Sequence, residues 1–181
     1  MSIKHIFTTP IKVISISNAE ELNLVFGKAM KAGFKSCVTN NLNQVDADLI
    51  KNTLIKEVKT YYKEATDKDY NFELFSSWSS ITNKYEFVTP HAHPAHMVVA
   101  VYYVKTSENC GDLLLHDARG ANDFDVLYEK NKYGTLSHRS AYRYTPKAGE
   151  LIIFPAYVIH SVEPNMSDET RISIGLNFKK I

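Results

Sequence analysis

From residue 70 to residue 178 the hydrophobic pattern has period two, and this limits the possible folds more than any other feature of the chain. Such alternation puts successive side chains on opposite faces of a pleated strand. It predicts strands over 72–82, 85–90, 97–105, 111–116, 140–145, 150–154, 157–163 and 170–178. Phe72, Leu74 and Trp78 mark the first, a Ser-rich region. The breaks are the expected ones: Pro146-Lys147-Ala148-Gly149, Pro155, and Pro164-Asn165. Segment 117–139 is polar and contains glycine, with one short strand predicted at 124–128. Long connections of that kind serve as lids or binding loops. About eight strands in this order close most easily into a barrel or a sandwich.

The first third reads differently. Short strands are predicted at 3–7 and 11–16, then Ser17 and Glu20 form an S-x-x-E start signal for a helix. Leu22, Val25, Phe26, Ala29 and Met30 give that helix one apolar face, and Gly33 ends it. After Asn40, Asn41 and Asn43, a second helix begins near Asp46. Its stripe of Ile50, Leu54, Val58, Tyr61, Tyr62 and Ala65 opposes Lys51, Lys56, Lys59 and Lys63. Such a stripe is core, and both helices are expected to cover one face of a sheet. The expected organisation is one domain, 1–181, with strands and helices in 1–69 and a β core in 70–181.

Composition removes several function classes. A net charge of +1 and a pI near 7.8 leave no electrostatic footprint for nucleic acid. No apolar run approaches a membrane span, and Lys4, His5, Pro10 and Lys12 interrupt any leader-like stretch. Cys37 and Cys110 belong to no paired motif and are read as free thiols, which fits a cytoplasmic protein.

The chemistry-bearing residues gather at two places. His91-Ala92-His93-Pro94-Ala95-His96 precedes the buried run 97–104, and residues i and i+2 of an extended segment share a face. His91 and His93 can therefore reach one ion, with Pro94 at the strand end. Two imidazoles do not complete a catalytic site, and His160, on the face of Val158 and Val162, is the natural third. In 170–178, Arg171, Ser173, Gly175 and Asn177 share a face opposite Ile172, Ile174, Leu176 and Phe178. A guanidinium inside a barrel calls for an anion or an acidic partner, and its fork matches a carboxylate; the alternation alone fits a surface salt bridge equally well.

Taken together, these residues resemble the 2-oxoglutarate- and Fe(II)-dependent oxygenases, in particular a small bacterial and phage branch with an HxHP motif. The resemblance spans about residues 76–178. It rests on Ser77-Trp78, His91-x-His93-Pro94, Val101-Tyr102-Tyr103-Val104, Gly111-x-Leu113, Gly149 to Pro155, His160 to Asn165, and Arg171-Ile172-Ser173. It implies a double-stranded β-helix (jelly-roll), mainly β, with the N-terminal helices packed on one face. His91 and His160 match the family's iron-binding histidines, and Arg171 the residue that grips the distal carboxylate of 2-oxoglutarate. Ser173 and Tyr103 match further contacts to that carboxylate. At His93 the wider superfamily has Asp or Glu, so this chain either uses three histidines or draws a carboxylate from Asp112 or Asp117.

The implied reaction is oxidative decarboxylation of 2-oxoglutarate to succinate and CO2, coupled to hydroxylation of a protein side chain or a small molecule. His96 and Arg119 are candidate contacts to that substrate, the latter in the 117–139 loop with His138 and Arg139. The alternatives are a cupin-like three-histidine metalloenzyme that does not use 2-oxoglutarate, and a non-catalytic jelly-roll binding protein.

Overall fold

The computed structural model describes residues 8–31, 44–117 and 141–181. The predicted strands at 3–7 and 124–128, together with Gly33, the Asn-rich linker, Cys37, Arg119, His138 and Arg139, lie outside them.

Two antiparallel sheets carry the fold. The larger has the order β1-β7-β4-β9-β2: β1 is Lys12–Ser15, β7 Glu150–Pro155, β4 Val98–Lys105, β9 Arg171–Lys180 and β2 Phe72–Thr82. The smaller has the order β3-β8-β5-β6: β3 is Val88–His91, β8 His160–Val162, β5 Leu113–His116 and β6 Ala141–Tyr144. Chain neighbours rarely pair, so each sheet collects strands from distant parts of the sequence, the jelly-roll arrangement. Both histidine strands, β3 and β8, start or end at the same rung, His91↔His160.

Alternation along the central strands builds two cores. Val98, Ala100, Tyr102, Leu151, Ile153, Ile174, Leu176 and Phe178 turn to one side and pack with Leu22, Phe26, Ile50, Leu54 and Val58 of the helices. Val99, Tyr103, Ile152 and Phe154 turn to the other and meet Leu113, Leu115, Tyr144 and Val158. The first core is a helix-on-sheet layer and the second is the interior of the sandwich.

The helices follow their apolar stripes except at Ala65, which is exposed, and two departures concern the backbone. Helix α1 spans Ala19–Lys31, and its first turn donates to Asn18, whose carbonyl accepts the Leu22 N–H at 3.2 Å, rather than to Ser17. The second helix is not uniform: α2 (Gln44–Ile50) and α3 (Lys56–Thr66) are joined by a π turn, Lys51–Ile55. Ile50, Leu54 and Val58 stay buried across it, because a spacing of four residues keeps to one face through both kinds of turn. Asp67 closes α3 in the left-handed region (φ 57), its N–H donating to Lys63 O at 2.8 Å.

A bulge in β2 decides which residues face the sandwich. Leu74 pairs with Phe178 and Ser76 with Asn177, so Phe75 is an extra residue. One inserted residue exchanges the faces of everything beyond it. Phe72 and Leu74 accordingly pack under the helices, whereas Trp78 crosses to the interior and lies over Gly175.

Candidate metal centre and co-substrate pocket

Three imidazoles converge where β3 and β8 meet. His91 ends β3, His160 opens β8, and their ring centroids are 4.3 Å apart. His93 lies two residues past β3, where its N–H donates to Ala156 O at 3.0 Å. Its ring is 5.1 Å from His91 and 5.2 Å from His160. One ligand atom from each of the three lies within 4.8 Å of the others.

The backbone sets the tautomers. Nδ1 of His91 faces Thr89 O at 2.9 Å, and Nδ1 of His160 faces Val158 O at 3.0 Å. A carbonyl only accepts, so each Nδ1 carries the proton and each Nε2 keeps its lone pair. His160 is 4% exposed, and burial is the main reason its pKa falls to about 4, with neighbouring imidazoles adding to the effect. Burial, His91 and His96 lower His93 as well. Both stay neutral near pH 7, the form that binds a metal.

Trp78 fixes the third imidazole. Its ring stacks 5.3 Å from that of His93, at an interplanar angle of 33°. A Cβ on Gly175 would overlap the indole, so only glycine on β9 lets Trp78 lie against the sheet. The sequence names Trp78 and Gly175 but not their contact, which requires both the bulge and the β2–β9 register.

Deeper along β9 is Arg171, 1% exposed. Its Nη1 donates to Cys110 O (3.1 Å) and Gly111 O (3.2 Å), and its Nη2 to Thr82 Oγ1 (2.9 Å). Gly111 sits at φ 87 against the Glu163 carbonyl, a position no larger residue fits. Three bonds leave two of the five guanidinium N–H groups, one of them the buried Nε–H, without a partner. Two is what a carboxylate fork takes. Among the described residues no carboxylate pairs with Arg171, and burial lowers its pKa. Ser173 and Tyr103 stand opposite each other on β9 and β4 and are both buried. Tyr103 is kept protonated by burial, which raises its pKa, although Arg171 pulls the other way.

The remaining candidates are distributed as follows. Asp112 binds Arg143 at 2.9 Å on the smaller sheet, and neither it nor Asp117 joins the histidine cluster. His96 flanks the cluster, 6.4 Å from His93 and 5.2 Å from Phe75. The Thr82 hydroxyl and the carbonyls of Cys110 and Gly111, which hold Arg171 in place, carried no sequence signal, because backbone acceptors never do and a lone threonine 89 residues from Arg171 does not stand out.

The family model "Putative 2OG-Fe(II) oxygenase" matches residues 76–177, more than half of the chain. The chain belongs to this family. The oxygenase matches no curated protein sequence. Among solved structures it is similar to a Pseudomonas putida prolyl-4-hydroxylase, with 15% identity, a TM-score of 0.63, and 96% of this chain and 89% of that one covered. It is also similar to HygX from Streptomyces hygroscopicus with nickel and 2-oxoglutarate bound, with 10% identity, a TM-score of 0.67, and coverage of 95% and 83%. At these identities the likeness is one of fold, and it agrees with the jelly-roll that the family resemblance implied.

Fe(II) and 2-oxoglutarate are the cofactor and co-substrate of this family, and the residues present suit both. The neutral, lone-pair-bearing imidazoles and the buried, unpartnered Nε2 of His93 suit a metal ion. The spare N–H groups of Arg171 suit a carboxylate.

Proposed function

We propose that this oxygenase hydroxylates a primary substrate while converting 2-oxoglutarate to succinate and CO2. His91, His93 and His160 would hold Fe(II), and Arg171, with Ser173 and Tyr103, the distal carboxylate of 2-oxoglutarate. The supporting observation is that the histidine cluster and the anion-ready Arg171 face the same space between the two sheets. Bound iron supplies the redox chemistry with O2.

The chain itself does four things in this reading. Thr89 and Val158 carbonyls keep two imidazoles in the metal-binding tautomer. Trp78 holds the third in orientation. Arg171, immobilised by three hydrogen bonds, is pre-organised for the co-substrate rather than ordered by it. Val99, Ile152, Phe154 and Val158 line the interior with apolar surface and exclude water. A three-histidine set carries one negative charge fewer than two histidines and a carboxylate, which favours the dianionic co-substrate. The protein is proposed to act as one domain in the cytoplasm; no helix among the described residues is long and apolar enough to cross a membrane.

The test is succinate release from 2-oxoglutarate with added Fe(II) and ascorbate, in wild type, His160→Ala and Arg171→Lys. Release is expected in wild type and lost in His160→Ala. Turnover that survives loss of His160 overturns the reading.

A further inference from the structure

Unpartnered buried polar atoms are uncommon, and each asks for an explanation. Here they are concentrated at the histidine end of the interior. Asn177 is 4% exposed; its Nδ2 donates to Ser76 Oγ at 3.1 Å, while its Oδ1 has no partner. Both ring nitrogens of His96 are buried without partners, although its backbone N–H is tied to His93 O at 3.0 Å. Lys179 follows two residues after Asn177 on the same face of β9, roughly 7 Å along the strand.

The Lys179 ammonium lies 3.4 Å from the centre of the Phe75 ring. Phe75 is the extra residue of the β2 bulge, so the feature that turns Trp78 inward also sets this aromatic seat. Lys12, Lys84 and Lys105 each reach a carboxylate, but Lys179 reaches none among the described residues. Glu73 stands opposite it in register without forming an ion pair.

We propose that Asn177, His96 and Lys179 form a subsite for a primary substrate that carries a carboxylate beside an N–H or O–H donor. This rests on the oxygenase reading given above. Lys179 and one ring N–H of His96 meet the carboxylate, and Asn177 Oδ1 accepts from the donor. The requirement for a donor follows from the chemistry of the unpartnered atom, since an amide oxygen can only accept. The co-substrate does not compete for this position, because its carboxylate site at Arg171 lies six residues back along β9. A single lysine matches a monoanion, and a carboxylate on an amide-bearing backbone is the simplest ligand with both features. N-acylated amino acids and C-terminal residues belong to that class.

The experiment uses the full chain with Fe(II) and 2-oxoglutarate. A panel of N-acetyl amino acids, their carboxamides and an O-phosphorylated set is scored for added succinate formation and, anaerobically, for quenching of Trp78, the only tryptophan. At least one free acid is expected to stimulate and bind about tenfold better than its amide. Lys179→Met is expected to erase that preference, and Lys179→Arg to keep it. Equal response to acids and amides, no response to any acid, preference for the phosphorylated set, or an unchanged preference in Lys179→Met overturns the proposal. Anaerobic binding of 2-oxoglutarate by the iron-loaded wild type, measured without the panel, separates the outcomes. If it binds and no acid preference follows, the subsite alone falls; if it fails to bind, the oxygenase reading fails first.

Discussion

The two faces of the five-stranded sheet are built from the same strands, alternating residue by residue, yet they differ in kind. Toward the helices stand Ile174, Leu176 and Phe178 of β9, all fully buried in apolar contact. Toward the second sheet stand Arg171, Ser173, Gly175 and Asn177 of the same strand. The helix face has its polar groups matched, as where Tyr102 donates to Asn23 Oδ1 at 2.9 Å; its exception is Ser77 Oγ. The inner face leaves Arg171 Nε and Asn177 Oδ1 unpartnered, and His93 and His96 beside it are in the same state. Burying polar groups without partners costs stability. One face holds the fold together, and the other gives up stability by leaving buried donors and acceptors unpartnered.

That contrast can be broken by mutation. On the helix face, Phe178→Ala should cost about 3–5 kcal/mol in chemical denaturation, the expected loss for a large core side chain. Metal affinity of the molecules that remain folded should be nearly unchanged. A variant that loses metal binding while keeping its stability would erase the division between the faces.

On the inner face the first test is pH. His160 has a folded pKa of about 4, below the ordinary value near 6.5, so the unfolded chain takes up its proton first as pH falls. Stability of the metal-free protein is therefore full above about pH 6.5 and declines toward about pH 4, by roughly 3 kcal/mol from this group. Denaturation midpoints at several pH values, compared with His160→Gln, measure it. A variant with the same pH slope as wild type would remove His160 from the account.

Gly175→Ala probes the wall behind His93. The added methyl must displace the indole, at a cost of about 1–3 kcal/mol typical of overpacking. Metal affinity should fall as His93 loses its support, and quenching of Trp78 by a bound paramagnetic ion should weaken. A fully retained quench would mean that Trp78 does not set the geometry of the site.

Much of this was legible in the sequence, for identifiable reasons. Period-two alternation exposed the strands because each is buried on at least one face, and the β9 alternation named both its faces. His91, His93 and His160 stood out because imidazoles are scarce beside apolar strands. The bulge at Phe75 was hidden, since an uninterrupted strand would put Phe72, Leu74 and Trp78 on one face. The π turn at Lys51–Ile55 was hidden too, because one added residue barely alters an apolar stripe. The strand expected over 157–163 shrank to His160–Val162, because Pro155 starts a turn, with the Val158 N–H donating to Pro155 O at 3.1 Å. What stayed out of reach were the pairings: Trp78 on Gly175, Lys179 on Phe75, and Arg171 on Thr82.

One interior is proposed to hold both a metal, at the three histidines, and 2-oxoglutarate, at Arg171. Anaerobic titration of 2-oxoglutarate into protein loaded with Fe(II), against metal-free protein and against iron-loaded Arg171→Lys, tests it most directly. The lysine keeps the charge and loses the fork. One 2-oxoglutarate is expected to bind per chain, dependent on the metal, and about tenfold or more weaker in Arg171→Lys. Binding that ignores the metal, or is equally tight in the Arg171→Lys protein, would contradict it.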